Sequence, residues 1–172
     1  MVKQSKPITR PTSSKVRQAL FNIWQGRQLQ DSSWLDICAG TGAVGTQALL
    51  EGAKEVVGME INHQACQNIQ KAWQKFSSPC QSFRVIQGNI LTKLHHLSGE
   101  KFDFIYFDPP YQSGLYEPTI ELIASLELLD SQAEMAIEHD PKFWQPTQCL
   151  DFFKMHRQKK YGDTFLSFFI VP

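Results

Sequence analysis

Residues 102–107 read Phe-Asp-Phe-Ile-Tyr-Phe, an almost unbroken apolar run. A strand with water on one face alternates apolar and polar residues, so this run predicts a strand covered on both faces, the habit of parallel sheets flanked by helices. The rest of the chain supports that reading. Apolar runs at Trp34–Cys38, Glu55–Glu60, Ser82–Gln87, Phe102–Asp108 and Ala133–His139 alternate with helical stretches at Ala43–Glu51, Asn62–Phe76 and Tyr116–Leu126, and a short helical turn follows Asn89. Such alternation predicts an open α/β sandwich around a mostly parallel sheet.

The two ends of the chain differ from this repeat. Over Thr12–Trp24 the residues Val16, Ala19, Leu20, Ile23 and Trp24 fall on one helical stripe, with Pro11 closing an extended arm and Thr12 or Ser13 able to cap. At the other end, Asp151–Met155 and Thr164–Val171 are β-rich runs joined through the basic segment HRQKKYGD, with no helix between them. They predict an antiparallel hairpin that closes the sheet. With 172 residues, 42% of them hydrophobic, the chain reads as one domain with a basic arm (1–11), an N-terminal helix (12–25) and an α/β core (33–172). Trp24, Trp34, Trp73 and Phe107 are expected in the core.

Several function classes are excluded at this level. No run approaches the roughly 18 apolar residues of a membrane span, and the N-terminus has no apolar h-region, so a soluble, non-secreted, cytoplasmic protein is expected. An acid-free N-terminus with Ser and Arg also fits a transit peptide, but the helical stripe argues for structure there. Cys38, Cys66, Cys80 and Cys149 form no CxxC pair, and the five histidines show no metal-ligand spacing. Reduced thiols and no metal are expected.

Lys plus Arg number 17 and Asp plus Glu 17, giving a net charge of +0. The balance conceals a division: residues 1–30 carry a net +6, residues 31–153 a net −9 and residues 154–172 a net +3. Basic ends on an acidic middle permit phosphate binding that the sum alone would disfavour.

After the first strand stands Asp36-Ile-Cys-Ala-Gly-Thr-Gly-Ala-Val-Gly45, with Gly40, Gly42 and Gly45 in GxGxxG spacing. Glycines there permit a tight strand-to-helix turn and close ligand approach. Glu60, 20 residues after Gly40 at the end of the next strand, can accept hydrogen bonds from a ribose diol. The geometry indicates an adenosine-containing cofactor, NAD or S-adenosylmethionine. Asp36 favours the second, since a carboxylate repels a pyrophosphate but suits an ammonium and a sulfonium.

The fourth strand ends in Asp108-Pro109-Pro110-Tyr111. Two prolines remove backbone donors and stiffen the turn. An exocyclic amine is a poor nucleophile because its lone pair is delocalised into the base. A carboxylate at Asp108 and the carbonyl of Pro109 could bind both of its N–H bonds and aim the lone pair, so that positioning supplies most of the rate. Tyr111 offers a flat face to an extruded base, worth about 1–3 kcal/mol. Taken alone, the tetrad would favour a rigid turn in which Asp108 caps a helix and Tyr111 packs, but its coincidence with Asp36, the glycine loop and Glu60 in this order favours the methyl-transfer site.

Together LDICAGTGAVG, VVGMEIN and FDFIYFDPPYQSGLYE resemble the class I S-adenosylmethionine-dependent methyltransferases with a DPPY motif, and RPTSSKVRQALFNIW (Arg10–Trp24) resembles those that modify guanine N2 in bacterial small-subunit (16S) ribosomal RNA. The resemblance implies a Rossmann-like, mostly parallel seven-stranded sheet with a C-terminal antiparallel hairpin. It implies that Asp36, Gly40 and Gly42 line the methionine end of the cofactor, with Ala39, Thr41 and Ile61 beside them. Glu60 would hold the ribose, Asn89 and Ile90 would flank the adenine, and Asp108, Pro109, Pro110 and Tyr111 would form the methyl-transfer site. Arg10, Thr12, Arg17, Arg157, Lys159 and Lys160 are the expected RNA contacts, within a ribosomal particle and from a monomer. In three places the sequence departs from the pattern: Cys38 stands where many such enzymes have glycine, Asn89 where an acid is usual, and an N-terminal β-hairpin common in the family is expected to be short or missing. Adenine-N6 or DNA amino methylation, and a non-catalytic RNA-binding module, are the alternatives that share these motifs.

Overall fold

The structure, a computed structural model, describes residues 14–146 and 151–172. Seven strands form one sheet: β1 (Ser33–Ile37), β2 (Glu55–Glu60), β3 (Ser82–Gln87), β4 (Phe102–Phe107), β5 (Leu129–His139), β6 (Lys154–Tyr161) and β7 (Thr164–Ile170). Their order is β3-β2-β1-β4-β5-β7-β6. The first five strands are parallel, and β7 runs antiparallel to both β5 and β6. The helices are α1 (Ser14–Trp24), α2 (Ala43–Leu50), α3 (His63–Phe76), α4 (Ile90–Lys93, continued by a 3-10 turn Leu94–Leu97) and α5 (Tyr116–Ser125).

The apolar run at 102–107 is explained by its place. β4 lies between β1 and β5, and its side chains alternate between two core layers. Ile105 and Phe107 join Leu35, Ile37, Met135 and Ile137 beneath α4 and α5. Phe104 and Tyr106 join Trp34, Ala136 and Phe168 beneath α1, α2 and α3. α1 buries Val16, Leu20, Phe21 and Trp24, and the Trp24 ring meets Trp34 and Phe104 at 5.1 and 4.9 Å between centroids. Trp24, Trp34, Trp73 and Phe107 are all buried, as expected. The expected Thr12 start of this helix, Arg10 and the arm 1–11 lie outside the described residues.

Trp73 on α3 shapes the glycine loop from below. Its indole N–H donates to the Gly42 carbonyl at 2.9 Å. A Cβ added at Gly45 would stand 2.1 Å from the indole, and one at Gly58 would stand 2.5 Å from it. Those two glycines are therefore required by close packing of helix and strand on one large ring, a cause separate from any ligand.

Two boundaries differ from expectation. β5 begins at Leu129, not Ala133, and its pairing with β4 shifts between Phe102 and Phe104, so Asp130-Ser131-Gln132 stand out of the regular ladder. There the Asp130 side chain accepts from the Gln132 N–H at 3.2 Å, and these polar residues hide the strand start from a hydropathy reading. The second correction is larger. The basic run placed in a connection between Asp151–Met155 and Thr164–Val171 is itself the strand β6, and the turn is only Gly162-Asp163, with Gly162 at φ 66°. β6 is the sheet edge, where charged side chains blunt unwanted pairing and little apolar patterning is needed.

Candidate active site

Sheet register assembles the site. Ile37 pairs with Met59 on one side and Phe107 on the other, so the next residues, Cys38, Glu60 and Asp108, arrive level at the carboxyl ends of three adjacent strands. Ligands of open α/β sheets bind at this edge. Cys38 turns the chain there at φ 64°, a left-handed conformation that costs a non-glycine residue about 1–3 kcal/mol. Burial first, then the negative fields of Glu60, Asp108 and Asp36, push its thiol far up, so it stays protonated and is no nucleophile.

Asp36 lies beneath the loop, buried, with Oδ2 accepting the Gly45 N–H at 3.2 Å. Burial pushes its pKa up to about 7, the Gly45 hydrogen bond opposes the shift and Glu60 adds to it. The loop is pinned by the Ala39 N–H on the Met59 carbonyl at 2.9 Å and the Gly42 N–H on the Ala39 carbonyl at 2.7 Å. Gly40 and Gly42 take φ 55° and 70°, which accounts for both glycines. The Glu60 carboxylate accepts from the Gly40 N–H at 2.9 Å and, on its other oxygen, from the Asn62 N–H at 2.8 Å. Each oxygen keeps one lone pair, so the group is fixed in place and can still accept from a diol.

Thr41 is exposed at the loop tip, Ala39 is half-buried, and Ile61 beside Glu60 is 68% exposed. The Asn89 side chain caps α4 through the Leu91 N–H at 2.9 Å. Ile90 is buried in the core, so that position offers a ligand its backbone only.

On the opposite rim, the Asp108 N–H bonds to the Ile37 carbonyl at 3.3 Å, Pro109 is buried and Pro110 is exposed. The Tyr111 hydroxyl donates to Glu138 Oε1 at 3.3 Å and shares a hydrogen bond with Thr164 Oγ1 at 3.0 Å. Burial is the main cause that pushes this phenol up to about 12, so it remains neutral. The Tyr111 ring stacks on exposed Phe143, with centroids 6.4 Å apart and planes at 25°. Glu138, Thr164 and Phe143 were not singled out from sequence. Two glutamates in the apolar strand AEMAIEH and an aromatic in the polar segment HDPKFWQ were the available signals.

The basic residues divide between two places. Arg17 lines a groove between α1 and α2 with Gln18, Asn22, Gln47 and Glu51. Arg157, Lys159 and Lys160 are exposed on β6, with the Lys160 ammonium 5.6 Å from the Phe165 ring centroid. Because Phe165 pairs with His139 at the end of β5, the hairpin turn brings Lys159 and Lys160 toward the rim that carries Tyr111. Arg10 and Thr12 lie outside the described residues.

Comparisons with known proteins give the chain a family and relatives. The family model described as conserved hypothetical protein 95 matches residues 1–170. The chain is 30% identical over 156 residues to ribosomal RNA small subunit methyltransferase D of Escherichia coli strain K12, covering 91% of this chain and 76% of that protein. It is also 30% identical over 130 residues to the protein of that name in Haemophilus influenzae, covering 75% of this chain and 67% of that one. A solved structure from Escherichia coli, yhhF, described provisionally as a methyltransferase, superposes with a TM-score of 0.83 at 26% identity, over 94% of this chain and 88% of that one. The chain has the Rossmann-like methyltransferase fold, is homologous to proteins named small-subunit ribosomal RNA methyltransferase D, and belongs to the conserved hypothetical protein 95 family.

Proposed function

We propose that this protein is an S-adenosylmethionine-dependent methyltransferase acting on the exocyclic N2 amine of a guanine in small-subunit ribosomal RNA. The observation that carries the chemistry is the sheet register, which brings Cys38, Glu60 and Asp108 to the ends of three adjacent strands beside buried Asp36, on the edge that continues into a tyrosine held by its hydroxyl. The relatives' names support ribosomal RNA as the substrate. The segment Arg10–Trp24 supports the guanine-N2 assignment over adenine N6.

The residues present fit the cofactor: a buried acid cluster suits its cationic amino and sulfonium groups, and Glu60 keeps acceptor capacity for a ribose. When bound, it supplies an electrophilic methyl group. The chain does the rest by placement. Asp108 and the Pro109 carbonyl accept the two amine hydrogens, Tyr111 sets the plane of the extruded base, and the amine proton is shed with Asp108 as the nearby acceptor. Lys159 and Lys160 neutralise phosphates beside the pocket, and Arg157 on β6 and Arg17 in the groove between α1 and α2 meet phosphates elsewhere on the RNA. The protein acts as a monomer in the cytoplasm, needs no metal and meets its RNA within a ribosomal particle.

The test is transfer of labelled methyl from S-adenosylmethionine to small ribosomal subunits. Label should enter the RNA with wild-type protein and fall to background with Asp108→Ala. Label in ribosomal protein, or equal transfer by the variant, would refute the reading.

A further inference from the structure

The DPPY tyrosine does not stand alone. Its hydroxyl reaches Glu138 Oε1 at 3.3 Å, near the end of β5, and Thr164 Oγ1 at 3.0 Å, at the start of β7. The other carboxylate oxygen of Glu138 accepts from the Tyr106 hydroxyl at 2.6 Å, and the Glu138 carbonyl accepts from the Tyr116 hydroxyl at 3.1 Å. Glu138 is buried, on a strand whose neighbours are apolar, and Thr164 is buried with it. Placing a carboxylate there carries a desolvation cost larger than that of an amide, and one that an apolar residue would avoid. What it gains is a fixed acceptor between β4, β5 and β7 that takes the hydroxyls of Tyr106 and Tyr111, one on each carboxylate oxygen.

We infer that Glu138, with Thr164, is a positioning residue for methyl transfer: it holds the Tyr111 ring at the angle at which an extruded base must stack. The inference rests on the methyltransferase reading. A ring held only by stacking on exposed Phe143 could swing about χ1 and χ2, whereas a ring whose hydroxyl is held from two strands cannot leave its plane without breaking those hydrogen bonds. In this role Glu138 acts through the Tyr111 hydroxyl. Its effect is on how often the base and the amine are aligned, which belongs in kcat and not in cofactor affinity.

The experiment is a double-mutant cycle on purified protein, with methyl transfer to small subunits and cofactor binding by calorimetry as separate readouts. Tyr111→Phe keeps the ring and removes the tether, and should lower kcat about 10-fold. Glu138→Ala should lower it about 10- to 100-fold, with cofactor affinity changed less than about 2-fold. The double variant should be no worse than Glu138→Ala, because both changes cut the same link. Glu138→Gln, which keeps one acceptor oxygen and the side-chain volume, should recover part of kcat. Should Glu138→Ala not fold, Thr164→Val and Glu138→Gln complete the cycle with Tyr111→Phe. Multiplying losses, or an unchanged kcat in Glu138→Gln and Thr164→Val with only a lower melting temperature, would overturn the positioning role while leaving the enzyme reading intact. A wild-type protein that transfers no methyl would remove both.

Discussion

Asp36→Asn should make the protein more stable and a poorer cofactor binder at the same time. The carboxylate is buried, and burial pushes its pKa up from the ordinary 3.8 to about 7. The folded state therefore holds a proton that the unfolded chain has already lost over that interval. Stability from this group is complete below pH ~4, declines as pH rises through 7 and is level above about 8. At about 1.4 kcal/mol per pKa unit, the ionised carboxylate costs the fold up to about 4 kcal/mol at high pH. Asparagine avoids that cost and its amide oxygen can still accept the Gly45 N–H, which Asp36 holds at 3.2 Å. Urea unfolding of both proteins at several pH values between 4 and 9 reads the difference directly. The variant should match the wild type near pH 4 and exceed it increasingly up to about pH 8, by at most about 4 kcal/mol. Cofactor binding should run the other way. Wild-type affinity should rise as Asp36 ionises towards pH 7 and beyond, whereas the variant should bind weakly with no such rise. Parallel stability curves for the two proteins would refute the burial argument. Unchanged affinity in the variant would refute the assignment of Asp36 to a cationic ligand.

Other perturbations test other parts of the account. Gly45→Ala drives a methyl to 2.1 Å from the Trp73 ring and should destabilise by about 1–3 kcal/mol or more in the same unfolding assay, with Trp73→Phe recovering part of the loss. Full stability in Gly45→Ala would show that the loop glycine is not required by packing. The slope of log affinity for RNA against log salt should fall by about 0.7 for each of Lys159→Ala and Lys160→Ala if each meets a phosphate. A slope that neither change alters would leave β6 without an RNA role. Glu60→Gln, which keeps acceptors for the Gly40 and Asn62 N–H groups only in part, should lower cofactor affinity about 10-fold or more by calorimetry; an unchanged constant would place the ribose elsewhere.

Much of this was legible in the sequence, for identifiable reasons. β4 announced itself because both of its faces are buried, and Asp36, Glu60 and Asp108 were legible because parallel strands bring their carboxyl ends to one edge whatever the details between them. β6 escaped because an edge strand facing water carries charges where an interior strand carries valines, so KMHRQKKY reads as a connection. The start of β5 escaped because Asp130-Ser131-Gln132 leave the ladder. Gly45 and Gly58 were readable only as turn or ligand glycines until the ring of Trp73 lay against both. The tether of Tyr111 was out of reach for a different cause: its partners lie 27 and 53 residues away, one on the next parallel strand and one on the antiparallel hairpin that closes on the sheet, and no local spacing records such contacts.

The central claim is tested most directly by incubating small ribosomal subunits that lack their own methylation with the protein and labelled S-adenosylmethionine, digesting the RNA to nucleosides and identifying the labelled product by mass spectrometry. The account predicts label in N2-methylguanosine, absent with Asp108→Ala. Label in N6-methyladenosine, or in protein with none in RNA, would contradict it.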